Sequence, residues 1–167
     1  MTADQFWNVI EQVHHASGGD MDRKCKLLEA ELCRLPLEEV CSFCVHFDEK
    51  KDKAYNWELW AAAYIIGGGC SDDSFSDFRS TLISMGRQTY ESALADPQSL
   101  ADMDYDAENA YYEGYQYVPV KVQKDLGGGQ IFPRKSPHPS KPTGQDWEED
   151  KVAELYPKLA AKYGYAG

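Results

Sequence analysis

The sequence predicts an all-α protein: a single-domain multi-helix bundle with a buried central helix and an irregular, proline- and glycine-rich C-terminal arm. Three observations predict this class. Apolar residues recur at helical spacing, helix-capping residues precede several of these stripes, and no clear alternation typical of a β-sheet is present. The 167 residues suffice for one domain with its own core.

The first three predicted helices each carry one apolar face. Gly18-Gly19 is expected to end the first helix, Asp20 to cap the second, and Pro36 to suit the first turn of the third. The apolar stripes are Ala3, Phe6, Trp7, Ile10 and Val13, then Met21, Cys25, Leu28 and Leu32, then Leu37, Val40, Cys44 and Phe47. This spacing places each set on one side of a helix.

The segment from Trp57 to Ile66 differs because it is apolar on every side, with Glu58 as its one charged residue. A helix of this kind is normally central and buried. The glycine run that follows, residues 67–69, must end it. We therefore expect the core to be built around this helix.

The remaining elements are predicted from caps and prolines. Ser71 or Asp72 caps the next helix, and Asp96-Pro97 reads as another cap followed by a first-turn proline. We expect a short tyrosine-rich helix over residues 106–117, while residues 117–122 fit one short strand. A terminal helix that Pro157 kinks or restarts ends the chain.

Charge divides the chain into three segments of one domain: a helical body over residues 1–117, a basic arm over 118–146 and a C-terminal helix over 147–167 that packs on the body. The body has 9 Lys or Arg against 22 Asp or Glu, the arm 5 against 2, and the last segment 3 against 4. The net charge of −11 disfavours nucleic acid and anionic membranes as partners. We expect a cytoplasmic protein, because the sequence shows no signal segment and no membrane span.

Cys70, Asp72, Asp73 and Arg79 are the candidate catalytic residues. A cysteine at a helix start can have a lowered pKa, but nearby carboxylates oppose this, and no histidine lies beside it in the sequence. Paired acids could also bind a divalent cation. The alternative is structural: Asp72 caps the helix, and Arg79 is buried and held by a carboxylate such as Glu58 or Asp73, or by backbone carbonyls.

Metal and cofactor chemistry has little support in the sequence. The spacing of Cys41 and Cys44 invites a metal site, but no second pair of ligands follows at matched spacing. The five cysteines favour buried free thiols in a reducing compartment. The four histidines, His14, His15, His46 and His138, form no catalytic pattern. We expect neither a metal nor a cofactor.

A tyrosine-rich acidic segment is the candidate binding surface, and its residues are Tyr105, Glu108, Tyr111, Tyr112 and Tyr115. Tyrosine is favoured at protein interfaces, and the acidic surroundings suit a basic partner. The alternative is that these tyrosines pack the segment onto the body. Residues 121–144 of the basic arm are expected to be mobile or to lie against this same surface. The alternative is that the arm packs permanently through Ile131, Phe132 and its prolines.

The stretch from Trp57 to Leu100 resembles the bacterial domain-of-unknown-function family 4240. The features that carry the resemblance are the Trp-x-x-Trp helix, the Gly-Gly-Cys-Ser-Asp-Asp turn, the Phe-x-x-Phe-Arg helix start and the Ala-Asp-Pro-x-Ser-Leu turn. The resemblance implies an all-helical fold and no established activity. Some members are described as relatives of a molybdate-metabolism regulator.

Two functions remain open. In the first, the chain is a protein-binding module that engages a basic partner, as immunity or inhibitor proteins engage basic toxins. In the second, it is an enzyme with a polar site around Cys70, Asp72, Asp73 and Arg79. The first is favoured, because no catalytic constellation can be assembled from the histidines and cysteines. A deep pocket joining those four residues would favour the enzyme.

Overall fold

Helix α1 shows how local sequence sets the ends of the helices. In the computed structural model, which describes residues 1–104 and 107–167, α1 spans Ala3–Ser17. The Thr2 hydroxyl accepts a hydrogen bond from the Gln5 backbone, and the Gln5 side chain accepts one from the Thr2 backbone. Gly18 ends the helix at φ 63°, a left-handed conformation that glycine adopts without steric cost.

The described residues are mostly helical and contain no β-sheet, so the all-α prediction is confirmed; one isolated bridge pairs Asn56 with Thr143. The further α-helices are α2 (Met21–Cys33), α3 (Leu37–Lys53), α4 (Trp57–Gly67), α5 (Asp72–Ser84), α6 (Arg87–Ala95), α7 (Val118–Leu126), α8 (Val152–Leu155) and α9 (Pro157–Tyr163). Single 3-10 turns lie at Pro97–Asp102, Tyr115–Tyr117 and Glu149–Lys151.

The predicted caps are found at three helix starts. Asp20 caps α2 by accepting from the Arg23 backbone, and Ser71, not Asp72, caps α5 by accepting from the Ser74 backbone. Asp96 caps the 3-10 turn that begins at Pro97. Each cap satisfies a backbone N–H that the helix itself leaves without a partner.

Helix α4 is the central helix, as its composition predicts. Leu59, the three alanines 61–63 and Ile65 are almost fully buried. Its remaining face carries Trp60, which is half-buried and stacks on Phe75 with ring centroids 4.9 Å apart. Helices α5, α8 and α9 all contact α4. An all-round apolar helix is therefore enclosed from both sides.

Two sequence predictions are wrong near the end of the body. Residues 107–114 are turns and bends, not a tyrosine-rich helix, and residues 118–126 form α7, not a strand or an irregular start of the arm. Pro119 fits the first turn of a helix, where its missing N–H costs nothing. Val118 and Val122 lie one turn apart and both face the core, while Val120 is 56% exposed. The valines at 118 and 122 thus follow the four-residue spacing of a helix, and the alternation of valines that suggested a strand was misleading.

The irregular part of the arm, residues 127–146, crosses α3 and the start of α4. Thr143 exchanges backbone hydrogen bonds with Tyr55 and Trp57, at 3.1 and 2.9 Å. The Arg134 side chain contacts carboxylates of α3. The arm thus lies on α3 and α4, and the contacts that hold it are not with the tyrosine-rich segment.

The C-terminal segment contacts helix α4 through α8 and α9. Tyr156 has a non-helical backbone, and Pro157 then begins α9, so the proline restarts the helix. Val152 and Leu159 are fully buried, and the indole of Trp147 donates to the Trp57 carbonyl at 2.8 Å. Across the described residues, no helix has both the length and the apolar character needed to cross a membrane.

Candidate functional site

Three of the four candidate catalytic residues lie at the start of α5, and the fourth lies about two turns further along the same helix. Asp72 and Asp73 occupy the exposed first turn, Cys70 lies just before the Ser71 cap, and Arg79 follows two turns later. The Asp72 carboxylate accepts a hydrogen bond from the Tyr55 hydroxyl at 2.8 Å. No cavity found among the described residues is lined by these four together.

Arg79 is a core residue with 1% of its surface exposed. Its Nε donates to the Phe75 carbonyl at 3.3 Å and its Nη1 to the Lys51 carbonyl at 2.8 Å. The guanidinium lies over the rings of Tyr55 and Phe75, 4.5 and 5.0 Å from their centroids. The prediction of a shielded arginine held by backbone carbonyls is confirmed. Its role is structural, since it fills a closed aromatic pocket.

Neither carboxylate suggested as a partner for Arg79 binds it. Glu58 is exposed on α4 and accepts from the Gln145 backbone at 3.2 Å. Asp73 is exposed at the start of α5. The acceptor for Arg79 is instead the Lys51 carbonyl, which lies in the last turn of α3, where carbonyls have no partner within the helix.

Cys70 is not arranged as a nucleophile. Burial raises the pKa of its thiol to about 12, and this effect is larger than the opposing hydrogen bonds from Tyr111 and Trp60. The thiol donates to the Ser71 carbonyl at 3.6 Å, while the Trp60 indole donates to the Cys70 carbonyl at 2.9 Å. A thiol that stays protonated at neutral pH is a poor nucleophile. The surroundings of Cys70 therefore disfavour its thiolate form.

The other cysteines are free thiols. Cys44 is buried in α3, and its burial raises the pKa to about 12, while Cys41 is half-buried. Within the described ranges, no three His, Cys, Asp or Glu side chains are grouped so that they could hold a metal ion. His14 and His15 lie in the last turn of α1.

The tyrosine-rich segment is attached to the body by its rings and hydroxyls. The Tyr111 hydroxyl donates to the Ala63 carbonyl of α4, and the Tyr112 hydroxyl donates to Asp22 of α2. Tyr115 is fully buried, so it offers no surface to a partner. Tyr105 lies outside the described residues. The structure thus uses these tyrosines for packing, and the prediction that the segment also binds a partner stays a prediction.

Tyr111 also forms one wall of an open cleft of about 370 Å³. Gly67 at the end of α4 lies so close to Tyr111 that a Cβ on residue 67 would be 2.5 Å from the Tyr111 hydroxyl oxygen. Ser74 of α5 and exposed Glu108 line the same cleft. The fold therefore joins the two candidate regions of the sequence, the start of α5 and the tyrosine-rich segment.

Three carboxylates that are not part of the cleft wall lie near its residues in the sequence: Asp73 precedes Ser74, Asp77 follows Ser74 by three residues, and Glu113 follows Tyr111 by two. Burial raises the pKa of Asp77, and the nearby negative charges of Glu113 and Asp73 raise it further. Within the described part of the chain, no cation lies within salt-bridge distance of Glu113 or Asp73. The Gln116 amide donates to Asp77 and thereby favours its charged form. The nearby Lys51 ammonium also lowers the pKa of Asp77, but the pKa remains raised overall.

Sequence reasoning missed two lysines that enter the protein interior. Lys24 is 1% exposed, and burial lowers its pKa to about 8, while its ammonium donates to the Ser84 hydroxyl at 3.1 Å. Burial likewise lowers the pKa of Lys51 to about 8, and its ammonium donates to Ser76 and Gln116. The signal was present: Lys24 falls on the apolar stripe three residues after Met21.

Fold and site together define a small all-helical domain with an open cleft at the end of its central helix. A family model described as "Protein of unknown function (DUF4240)" matches residues 1–124, and the chain belongs to this family. No curated protein and no solved structure gives a significant match. The family description names no activity, and the relation to molybdate-metabolism regulators stays a prediction.

Proposed function

We propose that this protein is a binding module that engages a basic protein through the cleft between the end of α4, the start of α5 and residues 107–114, together with the carboxylates of Asp73, Asp77 and Glu113 beside it. One observation carries the proposal: burial raises the pKa of Asp77, and the nearby charges of Glu113 and Asp73 raise it further, although Gln116 and Lys51 oppose the shift. Mutual repulsion of this kind costs free energy in the isolated protein. A bound cationic side chain would relieve it.

The rest of the cleft suits the same partner. Tyr111 supplies an aromatic wall, and Ser74 and Glu108 supply polar groups. A cation over an aromatic ring and beside a carboxylate gains from both. The net charge of −11 would speed the encounter with a basic protein, as in immunity and inhibitor proteins. We further propose that the protein acts in the cytoplasm, where its five free cysteines would stay reduced.

The test is affinity capture from the source cells with three forms of the full chain: wild type, Asp73→Asn/Glu113→Gln and a matched control. The control, Glu38→Gln/Glu154→Gln, removes two exposed carboxylates elsewhere on the surface. We expect a protein of pI above about 9 to be recovered by wild type and control and lost with the cleft variant. Its recovery should also fall at 1 M salt, where the Debye length is about 3 Å.

The opposite result is equally clear. If the cleft variant and wild type recover the same basic proteins in the same amounts, the cleft is not the binding site. If no basic protein is recovered by any form, the proposed class of partner is wrong.

A further inference from the structure

The Arg134 side chain of the arm binds two carboxylates on one face of α3. Its Nε donates to Asp48 at 3.0 Å, and its Nη2 donates to both oxygens of Asp52 at 2.9 Å. The two aspartates are four residues apart and so share one face of the helix. Lys135 follows with a looser contact to Glu49 at 3.9 Å. This part of α3 therefore already binds a guanidinium group, one supplied by the chain itself.

The fit of the arm in this position is incomplete. Nη1 of Arg134 is buried without a hydrogen-bond partner in the described structure, which costs free energy. A cavity of about 200 Å³ remains between the arm and α3, and its α3 wall is formed by Val45, Asp48, Glu49 and Asp52. We call these four residues the α3 socket. A ligand that fills the cavity and satisfies every guanidinium nitrogen would bind the socket better than the arm does.

The contacts of the arm are also of a kind that exchanges easily. The side chains of Arg134, Asp48 and Asp52 are 30%, 34% and 22% exposed, so water and salt weaken their attraction. Proline at positions 133, 137 and 139 keeps the segment extended and prevents it from forming a helix of its own. Ile131, just before it, is 79% exposed. At Arg134 the segment is therefore held by charge, while His138 farther along packs edge-on against Tyr55 with ring centroids 5.7 Å apart.

We propose that the α3 socket is a docking site for an arginine side chain on an extended, proline-flanked basic segment of a partner protein, and that Arg134 is its intramolecular competitor. The partner's arginine displaces Arg134, and the arm stays tethered at Thr143 through its backbone bonds to Tyr55 and Trp57. The site is distinct from the cleft at α5. The irregular part of the arm, residues 127–146, lies outside the 1–124 match, whereas the socket lies inside it. In this chain, access to the socket is thus set by a segment beyond the family region.

The experiment uses a fluorescent peptide with the sequence of residues 130–141, titrated against the full chain and followed by fluorescence anisotropy. We expect the Arg134→Ala chain to bind the peptide at least ~5-fold more tightly than wild type, since the competitor that reduces the open fraction is gone. The control chain, Lys141→Ala, changes an exposed arm cation that makes no ion pair within the described residues and should match wild type. Asp48→Asn/Asp52→Asn should abolish binding.

A second peptide carries alanine in place of Arg134 and tests whether the α3 socket recognises the guanidinium group. This peptide should not bind. Hydrogen exchange of residues 130–141 in wild type should rise when the arginine peptide is added. Equal affinity of wild type and the Arg134→Ala chain, or equal binding of both peptides, would overturn the proposal. The Asp73→Asn/Glu113→Gln chain should bind the arginine peptide like wild type, so failure of the cleft proposal leaves this result unchanged.

Discussion

Arg79 and Arg134 present the same guanidinium group to two different environments. Arg79 is 1% exposed, bonded to two backbone carbonyls and stacked on aromatic rings. Arg134 is 30% exposed and bonded to two carboxylates, with one nitrogen left without a partner. The arginine without an ion pair is the one that belongs to the core. Shape and enclosure, more than formal charge pairing, distinguish a structural arginine from an exchangeable one.

The largest expected effect is at Arg79. Arg79→Met should lower the free energy of unfolding by about 3–5 kcal/mol, because it strands the buried Lys51 carbonyl and removes the cation that faces Asp72. Arg79→Lys should lose less, since it keeps the charge but not the planar stacking. Urea denaturation measures both.

The matched control for this change is Arg87→Met. Arg87 is 47% exposed and pairs with Asp4 and Glu91, so its loss should change the free energy of unfolding much less than Arg79→Met does. A melting curve of Arg79→Met that coincides with wild type would show that the enclosed arginine does not hold the core together.

Lys24 sharpens the comparison, because it is as buried as Arg79 but has one hydroxyl partner and no aromatic cover in the described structure. Its pKa falls from 10.5 to about 8, so keeping it charged at neutral pH costs stability. Lys24→Met should therefore stabilise the protein by about 2 kcal/mol at pH 7.

The pH dependence of this difference follows from the same shift. Between pH 8 and pH 10.5 the unfolded state binds more protons at Lys24 than the folded state, so wild type regains stability as the pH rises. The advantage of Lys24→Met should shrink across that window and disappear above it. An advantage that stays constant from pH 7 to pH 10.5 would mean that Lys24 is not the titrating group.

The smallest expected effect is at Arg134. Arg134→Ala should lower the free energy of unfolding by less than about 1 kcal/mol, because exposed ion pairs contribute little. The difference from wild type should be present at low salt and absent at 1 M salt. Paired urea curves at the two salt concentrations check this. A loss as large as that of Arg79→Met would make the arm a permanent part of the core and remove the contrast.

Patterns that are local in sequence were predicted well. The all-round apolar composition of residues 57–66 gave the central helix, and Asp20 and Ser71 gave two helix starts, because capping is decided within four residues. The burial of Arg79 was predicted because the apolar face of α5 surrounds it.

What failed depends on contacts between distant residues. The alternation of valines at 118, 120 and 122 fits a strand until α2 and α3 offer a surface for a helix. Nothing near Tyr115 in sequence shows that it lies in the core. The position of the arm on α3 depends on Arg134 meeting carboxylates more than eighty residues earlier in the chain, and charge segregation predicted the attraction but not the place.

Three tryptophans that lie close together at α4 also give the protein an intrinsic optical signal. They are Trp57, Trp60 and Trp147. Trp57 stacks on Trp60 with ring centroids 5.3 Å apart, and Trp147 meets Trp57 edge-on at 6.2 Å. Indoles this close couple their electronic transitions. Detachment of the C-terminal segment would therefore change the near-ultraviolet circular dichroism and shift tryptophan emission to the red. Trp7, which packs against Tyr90, would not contribute to this change. Loosening of the tail can thus be observed in solution with no label attached.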